Sequence, residues 1–373
     1  MPDAKAQALV TSFERAGYGR VEPAILQPAE PFLDLSGEDI RKRMYLTVDP
    51  QGHELCLRPD LTIPVSRDYL ASPAAGKPAG FCYLGPVFRH RENEPSEFLQ
   101  AGIESFGRTD IAAADAEMLA LGLEATGHYG LAAPEIRLGD IGLFSALIAA
   151  LDLAPAWKRR LIKDFNHKSS LAHDLDRLTI STGHTRPEYQ GMLAALAGSD
   201  PGAAHALVTD LLSIAGISAI GGRSVGEIAD RFLEQATLSV QAALPRETRA
   251  LIERFLAIAG EPDEAAAELR ALAQDAKIAL DTALDLFESR TGFLAARGVD
   301  VGRIRFSTAF GRGLDYYTGF VFELHDGSAR DLGQLVAGGR YDGLLMRIGS
   351  PVPIPAVGFA VWIERLAACG RRA

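Results

Sequence analysis

Strand-like segments stand at both ends of this chain and are missing from its middle, and that arrangement constrains the fold more than any other feature. The text from Arg43 to Pro64 (RMYLTVDPQGHELCLRPDLTIP) sets two short apolar runs around Asp49-Pro50-Gln51-Gly52, a turn-forming tetrad, and so reads as a hairpin. Phe81–Arg89 and Phe98–Phe106 read as a second strand pair, separated by the polar loop His90–Glu97. Strand character returns only at Arg303–Phe310, Phe320–His325 and Gly333–Ala337, before a closing helix at Val361–Ala368. Between 156 and 298 the composition shifts to Ala, Leu, Glu and Arg, and Leu269, Leu272, Ala276, Leu280, Leu284 and Phe287 trace a helical face. Helices are also expected at 4–17, where Gly17 supplies the C-cap, at 112–127 and at 141–153, the last fed by a strand at Glu135–Leu138. The reading is an α+β core, mainly antiparallel, formed by 1–155 and 299–373 and interrupted by a helical insertion at 156–298.

Composition removes several classes. Thirty-eight basic against 48 acidic side chains leave a charge of −10, so an extended phosphate backbone is repelled and nucleic-acid binding is disfavoured. The three cysteines, Cys56, Cys82 and Cys369, fall in no C-x-x-C spacing, and the eight histidines show no paired ligand spacing, so neither a disulfide framework nor a metal site is expected. No apolar run is long enough for a membrane span, and the first ten residues do not read as a signal peptide, which predicts a cytoplasmic protein; no cofactor is expected.

Three constellations carry polar chemistry. Leu57-Arg58-Pro59-Asp60-Leu61-Thr62 ends a strand and sets a carboxylate and a hydroxyl two residues apart, which suits an ammonium group and equally suits capping of local N–H groups. Alternation in Phe98–Phe106 puts Gln100, Gly102 and Glu104 on one face, either a pocket floor or the wet side of a half-buried strand. Arg89, beside Gly85-Pro86 read as a tight turn, can grip a carboxylate or phosphate or pair with a nearby glutamate. The third is Gly311–Gly319 (GRGLDYYTG) with Ala337–Gly343 (AGGRYDG). Tyr316 fills the third glycine position of a dinucleotide fingerprint, which removes that reading, and leaves Arg312, Tyr317 and Tyr341 as donors to a small polar ligand or as parts of two turns.

Taken in order, RGLDYYTG, AGGRYDGL and AVGFAVWIERL resemble the histidine-specific motifs and the third class II motif of histidyl-tRNA synthetase. The resemblance implies a class II synthetase-like antiparallel sheet flanked by helices, a homodimer built on the first motif around Gly17–Pro23, and a pocket for histidine. Carried onto this sequence, it implies that Asp60 and Thr62 hold the α-amino group, that Gln100, Glu104, Tyr317 and Tyr341 surround the amino acid, and that Arg312 faces its carboxylate.

The nucleotide half departs from that pattern. The second motif normally reads Arg-x-Glu, with the glutamate on adenine; here Arg91 takes the glutamate position beside the retained Arg89. Trp362 stands where glycine normally precedes Ile363-Glu364-Arg365, and an indole there fills the space a nucleotide needs. His90–Glu97 is short and acidic, and no anticodon-binding domain is read after the third motif. An amino-acid site kept beside a degraded nucleotide site (Arg89, Arg91, Trp362, Arg365) is similar to the regulatory subunits of ATP phosphoribosyltransferase, synthetase paralogues without catalytic residues of their own. That family implies a hetero-oligomer, an octamer, with a short-form catalytic subunit, which requires the regulatory chain for activity in the first step of histidine biosynthesis. It also implies histidine as effector, needing a typical coupling of about 1–3 kcal/mol between the two sites. Two other readings stay open here: a compact histidyl-tRNA synthetase or histidine-activating ligase, and an amino-acid sensor with a different partner.

Overall fold

Two neighbouring ten-residue strands, β5 (Ala79–Phe88) and β6 (Glu97–Phe106), pair antiparallel over their whole length and anchor the architecture. The computed structural model describes residues 4–35, 40–92, 94–165, 171–172, 175–176, 201–214, 226, 229 and 245–369. Nine strands form one sheet in the order β1-β5-β6-β12-β11-β10-β7-β9-β8. The others are β1 (Gly19–Arg20), β7 (Glu135–Asp140), β8 (Ala259–Gly260), β9 (Ile304–Ser307), β10 (Phe320–His325), β11 (Gln334–Arg340) and β12 (Ala356–Trp362). Among the described residues only β1/β5 and β7/β9 run parallel, so the expected mainly antiparallel α+β core is what the chain forms. A separate three-stranded sheet, β2-β4-β3, holds the expected hairpin: β3 (Tyr45–Val48) and β4 (Glu54–Leu57) join through the Asp49–Gly52 turn, and β2 (Leu26–Pro28) lies on the other side of β4.

One face of the large sheet is covered by α1 (Ala4–Arg15) and α3 (Ile111–His128). The spacing of Ala6, Leu9, Val10 and Phe13 gives α1 one apolar stripe, and Phe13 meets Phe359 edge-on at 5.7 Å. α3 is rich in alanine and brings Gly122 against Phe322 and Val336, so helix and sheet approach closely. Helix α2 (Thr62–Ala71) begins where Pro64 falls in its first turn, a position that needs no intrahelical N–H bond.

Several expectations need correction. The closing segment is a strand before it is a helix: Ala356–Trp362 is β12, central in the sheet, and α6 (Ile363–Cys369) follows. A strand buried on both faces reads as one apolar run, which periodicity alone does not separate from a helix. Gly85-Pro86 is no turn but the middle of β5; β1 pairs only at Phe81 and Cys82, so at Pro86 the strand is an edge and the missing N–H leaves no ladder bond unmade. The segment Leu57–Thr62 does end a strand, since β4 stops at Leu57, but Thr62 opens α2, so Asp60 and Thr62 do not share a strand face. The boundaries also differ from 156–298. The two compact units are 1–146 with 255–373, and 147–254, so α4 (Pro262–Ala276) and α5 (Asp281–Ala296) belong with the sheet. They do so because α5 lies along α3 and sends Arg290 into the core, and α4 packs on β9. The second unit is helical where described, at Pro155–Asp164 and Pro201–Ile214, with Ala204, Val208 and Ala229 in a small core; much of the expected insertion falls outside the described residues.

Candidate ligand-binding site

On the sheet face opposite α1 and α3, a cavity of about 210 Å³ opens between β6, β10, β11 and β12 and the loops before α2 and β10. Asp60, Thr62, Gln100, Arg312, Tyr317, Tyr341, Arg89, Arg91, Trp362 and Arg365, all singled out in the sequence, line it. Glu104 is the exception: it lies beneath the floor, 1% exposed, where Thr62 Oγ1 donates to its Oε1 at 2.6 Å, Tyr83 to the same oxygen at 3.2 Å, and Tyr341 to Oε2. The alternation of β6 does aim Gln100, Gly102 and Glu104 the same way, but both strand faces are buried, so the half-wet alternative does not hold. Glycine at 358 is obligatory next to this carboxylate, because a β-carbon would overlap Glu104 Oε2.

Burial pushes the Glu104 carboxyl up to about 8, against the pull of its three hydroxyl partners. Burial likewise raises Asp60, opposed by the nearby Arg89 guanidinium and by the Ile63 N–H, which donates to Asp60 Oδ1 at 3.1 Å. Asp60 thus accepts an N–H from the first turn of α2 and lines the cavity at once. Thr62 gives its proton to Glu104 and keeps oxygen lone pairs for a ligand donor. Gln100 is 1% exposed, and its Nε2 finds no hydrogen-bond acceptor among the described residues.

The loop Gly311–Gly319 folds over the cavity. Arg312 Nη1 donates to Tyr317 Oη at 2.9 Å, and its Nε meets Glu323 Oε1 at 3.3 Å. Burial weakens the charged form of Arg312, but Tyr317 and Glu323 outweigh it and hold the guanidinium charged. Tyr316, Tyr317 and Tyr341 form an aromatic corner with ring centres 4.9 to 6.4 Å apart. Glu323, Tyr316, Arg43 and Gln334 also line the cavity, and sequence reasoning did not single them out. Glu323 had a signal, a lone carboxylate within the apolar strand Phe320–His325; it ties Arg312 to His325, whose Nε2 lies 2.9 Å away.

The other end of the cavity is filled by protein. Arg91 lies over the Phe98 ring at 4.0 Å, pairs with Glu94 and donates from Nε to Pro95 O at 2.8 Å. Arg365 lies 5.8 Å over the buried Trp362 ring, and its Nη2 is 3.5 Å from Glu94, so one carboxylate spans both cations. Arg89 donates from Nε to Pro59 O at 2.6 Å. With Arg43, Arg89, Arg91, Arg312 and Arg365 against Asp60 and Glu323, the lining is cationic in a chain of charge −10.

A cavity floored by an antiparallel sheet and closed by an arginine- and tyrosine-bearing loop, with Arg91, Phe98 and Trp362 at its other end, belongs to a class II synthetase-like fold. The family model described as histidyl-tRNA synthetase matches residues 3–232 and 203–366. Among solved structures, an ATP phosphoribosyltransferase regulatory subunit/histidyl-tRNA synthetase from Bacillus halodurans shares the fold with a TM-score of 0.67, at 22% identity, over 99% of this chain and 81% of that one. A histidine–tRNA ligase subunit from Alicyclobacillus acidocaldarius gives 0.58 at 24% identity, over 100% and 96%. Curated relatives from Brucella canis and Brucella suis, each named ATP phosphoribosyltransferase regulatory subunit, are 43% identical over 354 residues, 93% of this chain and 92% of theirs. The chain belongs to the family of ATP phosphoribosyltransferase regulatory subunits, a non-catalytic branch with the histidyl-tRNA synthetase-like fold. Among the described residues, no helix is long and apolar enough to cross a membrane.

Proposed function

We propose that this chain binds free histidine in the cavity and transmits its presence to a short-form ATP phosphoribosyltransferase catalytic subunit, in a cytoplasmic hetero-octamer, switching that partner on when histidine is scarce and off when it is abundant. The observation that carries the reading is a small cavity with zwitterion chemistry: Asp60 and the Thr62 oxygen for an ammonium group, Arg312 for a carboxylate, and the unpartnered Gln100 Nε2 for a further acceptor. The filled end supports binding without activation, because a guanidinium, Arg91, stands where the resemblance puts the adenine acceptor and the buried indole of Trp362 stands where it puts bare glycine backbone. Self-association through the first motif is supported by exposed apolar side chains beside it: Leu26 on β2, and Leu46 and Val48 on β3, are 48%, 50% and 60% exposed.

Calorimetric titration of histidine into wild type and Asp60→Asn tests the site. A hydrogen bond to a charged group is worth about 1.5–3 kcal/mol, so the variant is expected to bind roughly tenfold or more weakly. Equal affinity in a folded variant would move the histidine out of this cavity.

A further inference from the structure

Behind the tyrosine corner, on the side away from the cavity, four charged side chains are buried together in an alternating chain. Arg290, from α5, is 2% exposed and donates from Nε to Asp115 Oδ2 at 2.8 Å and from Nη1 to Asp140 Oδ2 at 2.7 Å. Asp115, on α3, turns its other oxygen to Arg340 Nε at 2.8 Å. Arg340 continues to Asp342 Oδ1 at 2.8 Å, and that oxygen also accepts the Ala356 N–H at 2.8 Å. The Arg290 guanidinium lies 4.9 Å over the Phe320 ring.

The chain ends on the two segments that carry the pocket tyrosines. Arg340 and Asp342 bracket Tyr341; Thr318 N–H donates to Arg340 O at 2.9 Å and Asp342 N–H to Thr318 Oγ1 at 3.0 Å, fixing the residue after Tyr317. Tyr317 and Tyr341 themselves spend their hydroxyls elsewhere, on Arg312 and Glu104, so their backbone positions are set from behind. Arg290 and Arg340 are met by Asp115, Asp140 and, at the partly exposed end, Asp342, and a fork is required at 290, since only a guanidinium reaches two carboxylates on different elements in fixed geometry.

We infer that the buried chain Arg290–Asp115/Asp140–Arg340–Asp342 is a positioning device for the pocket, with Arg290, on a helix far from every motif, as the residue that holds Tyr317 and Tyr341 in register. The inference rests on the reading of the cavity as a ligand site, and a ligand-free measurement keeps the two separable.

The variants are Arg290→Lys, which keeps the charge but not the fork, and Asp342→Asn, partly exposed and outside the core, which loosens the same chain if the first fails to fold. Hydrogen exchange read by mass spectrometry compares the segments 312–320 and 338–343 with 97–106 as an internal control, and histidine affinity is measured alongside. The expected result is exchange faster by roughly tenfold or more in the two tyrosine segments with β6 unchanged, and a histidine Kd raised by a similar factor. Unaltered exchange in both segments, with only a lower melting temperature, would make the network merely structural and overturn the inference. Should the wild type bind no histidine, the ligand reading fails while the exchange data still judge the positioning role.

Discussion

Replacing Glu104 by Gln is the perturbation with the sharpest expected consequence. The side chain is fully buried, and burial holds its carboxyl at about 8, far above the ordinary value of 4.5 it takes when the chain unfolds. Between those two values the folded protein keeps a proton that the unfolded chain has released. Stability contributed by this group is therefore complete below about 4.5 and is lost as pH rises toward about 8. Each pH unit inside the window is worth up to about 1.4 kcal/mol, so the total is on the order of a few kcal/mol. Glutamine has the same shape and no titration, so its stability should be flatter across the window. Its amide oxygen can still accept from Thr62 and Tyr83, but its NH2 then faces the Tyr341 hydroxyl, and forcing that donor to turn costs about 1–3 kcal/mol at every pH. That cost shifts the variant's curve without tilting it. Asp60 is raised by burial too, but it stands in both proteins, so the difference in slope belongs to Glu104. Urea unfolding followed by circular dichroism at pH 5, 6, 7 and 8 measures both. The wild type should lose a few kcal/mol more than the variant over that range; parallel profiles from two folded proteins would refute the argument that burial dominates the floor of this cavity.

Two further outcomes follow from the same geometry. Because Arg91 is engaged by Glu94 and Phe98 and Trp362 is buried at the nucleotide end, the pure chain should show no histidine-dependent pyrophosphate exchange, and robust exchange would mean that it activates histidine after all. On the proposed self-association, Leu46→Asp, placing a charge on the exposed face of β3, should lower the particle mass in light scattering while leaving the fold intact, and an unchanged mass would put the self-association surface elsewhere.

Much of this site was legible because polar residues in apolar strands are few and stand out. Gln100 and Glu104 declared themselves by alternation in β6, and Arg312, Tyr317 and Tyr341 by the glycines around them. Their division of labour was not legible: nothing in the spacing tells that Gln100 reaches the cavity with an unmet donor while Glu104, four residues on, is sealed under three hydroxyls. Strand β12 was hidden because a run such as Ala356–Trp362, buried on both faces, has no period to read. Arg290 was hidden for a different reason, since a basic residue on a helix reads as a solvated face until the fold brings Asp115 and Asp140, 175 and 150 residues away, to meet it. The same contacts explain why the boundary drawn at 298 fell too late: α5 has helical composition like the insertion, yet its charge is a core component of the sheet unit.

A regulatory chain acts on a partner and does no chemistry of its own. Mixing it with a short-form ATP phosphoribosyltransferase catalytic subunit, and following product formation with and without histidine, tests that directly. Little turnover by either chain alone, a marked rise on mixing, and loss of that rise as histidine is added are the expected results. Full activity of the catalytic subunit alone, unchanged by the added chain and by histidine, would contradict the regulatory role.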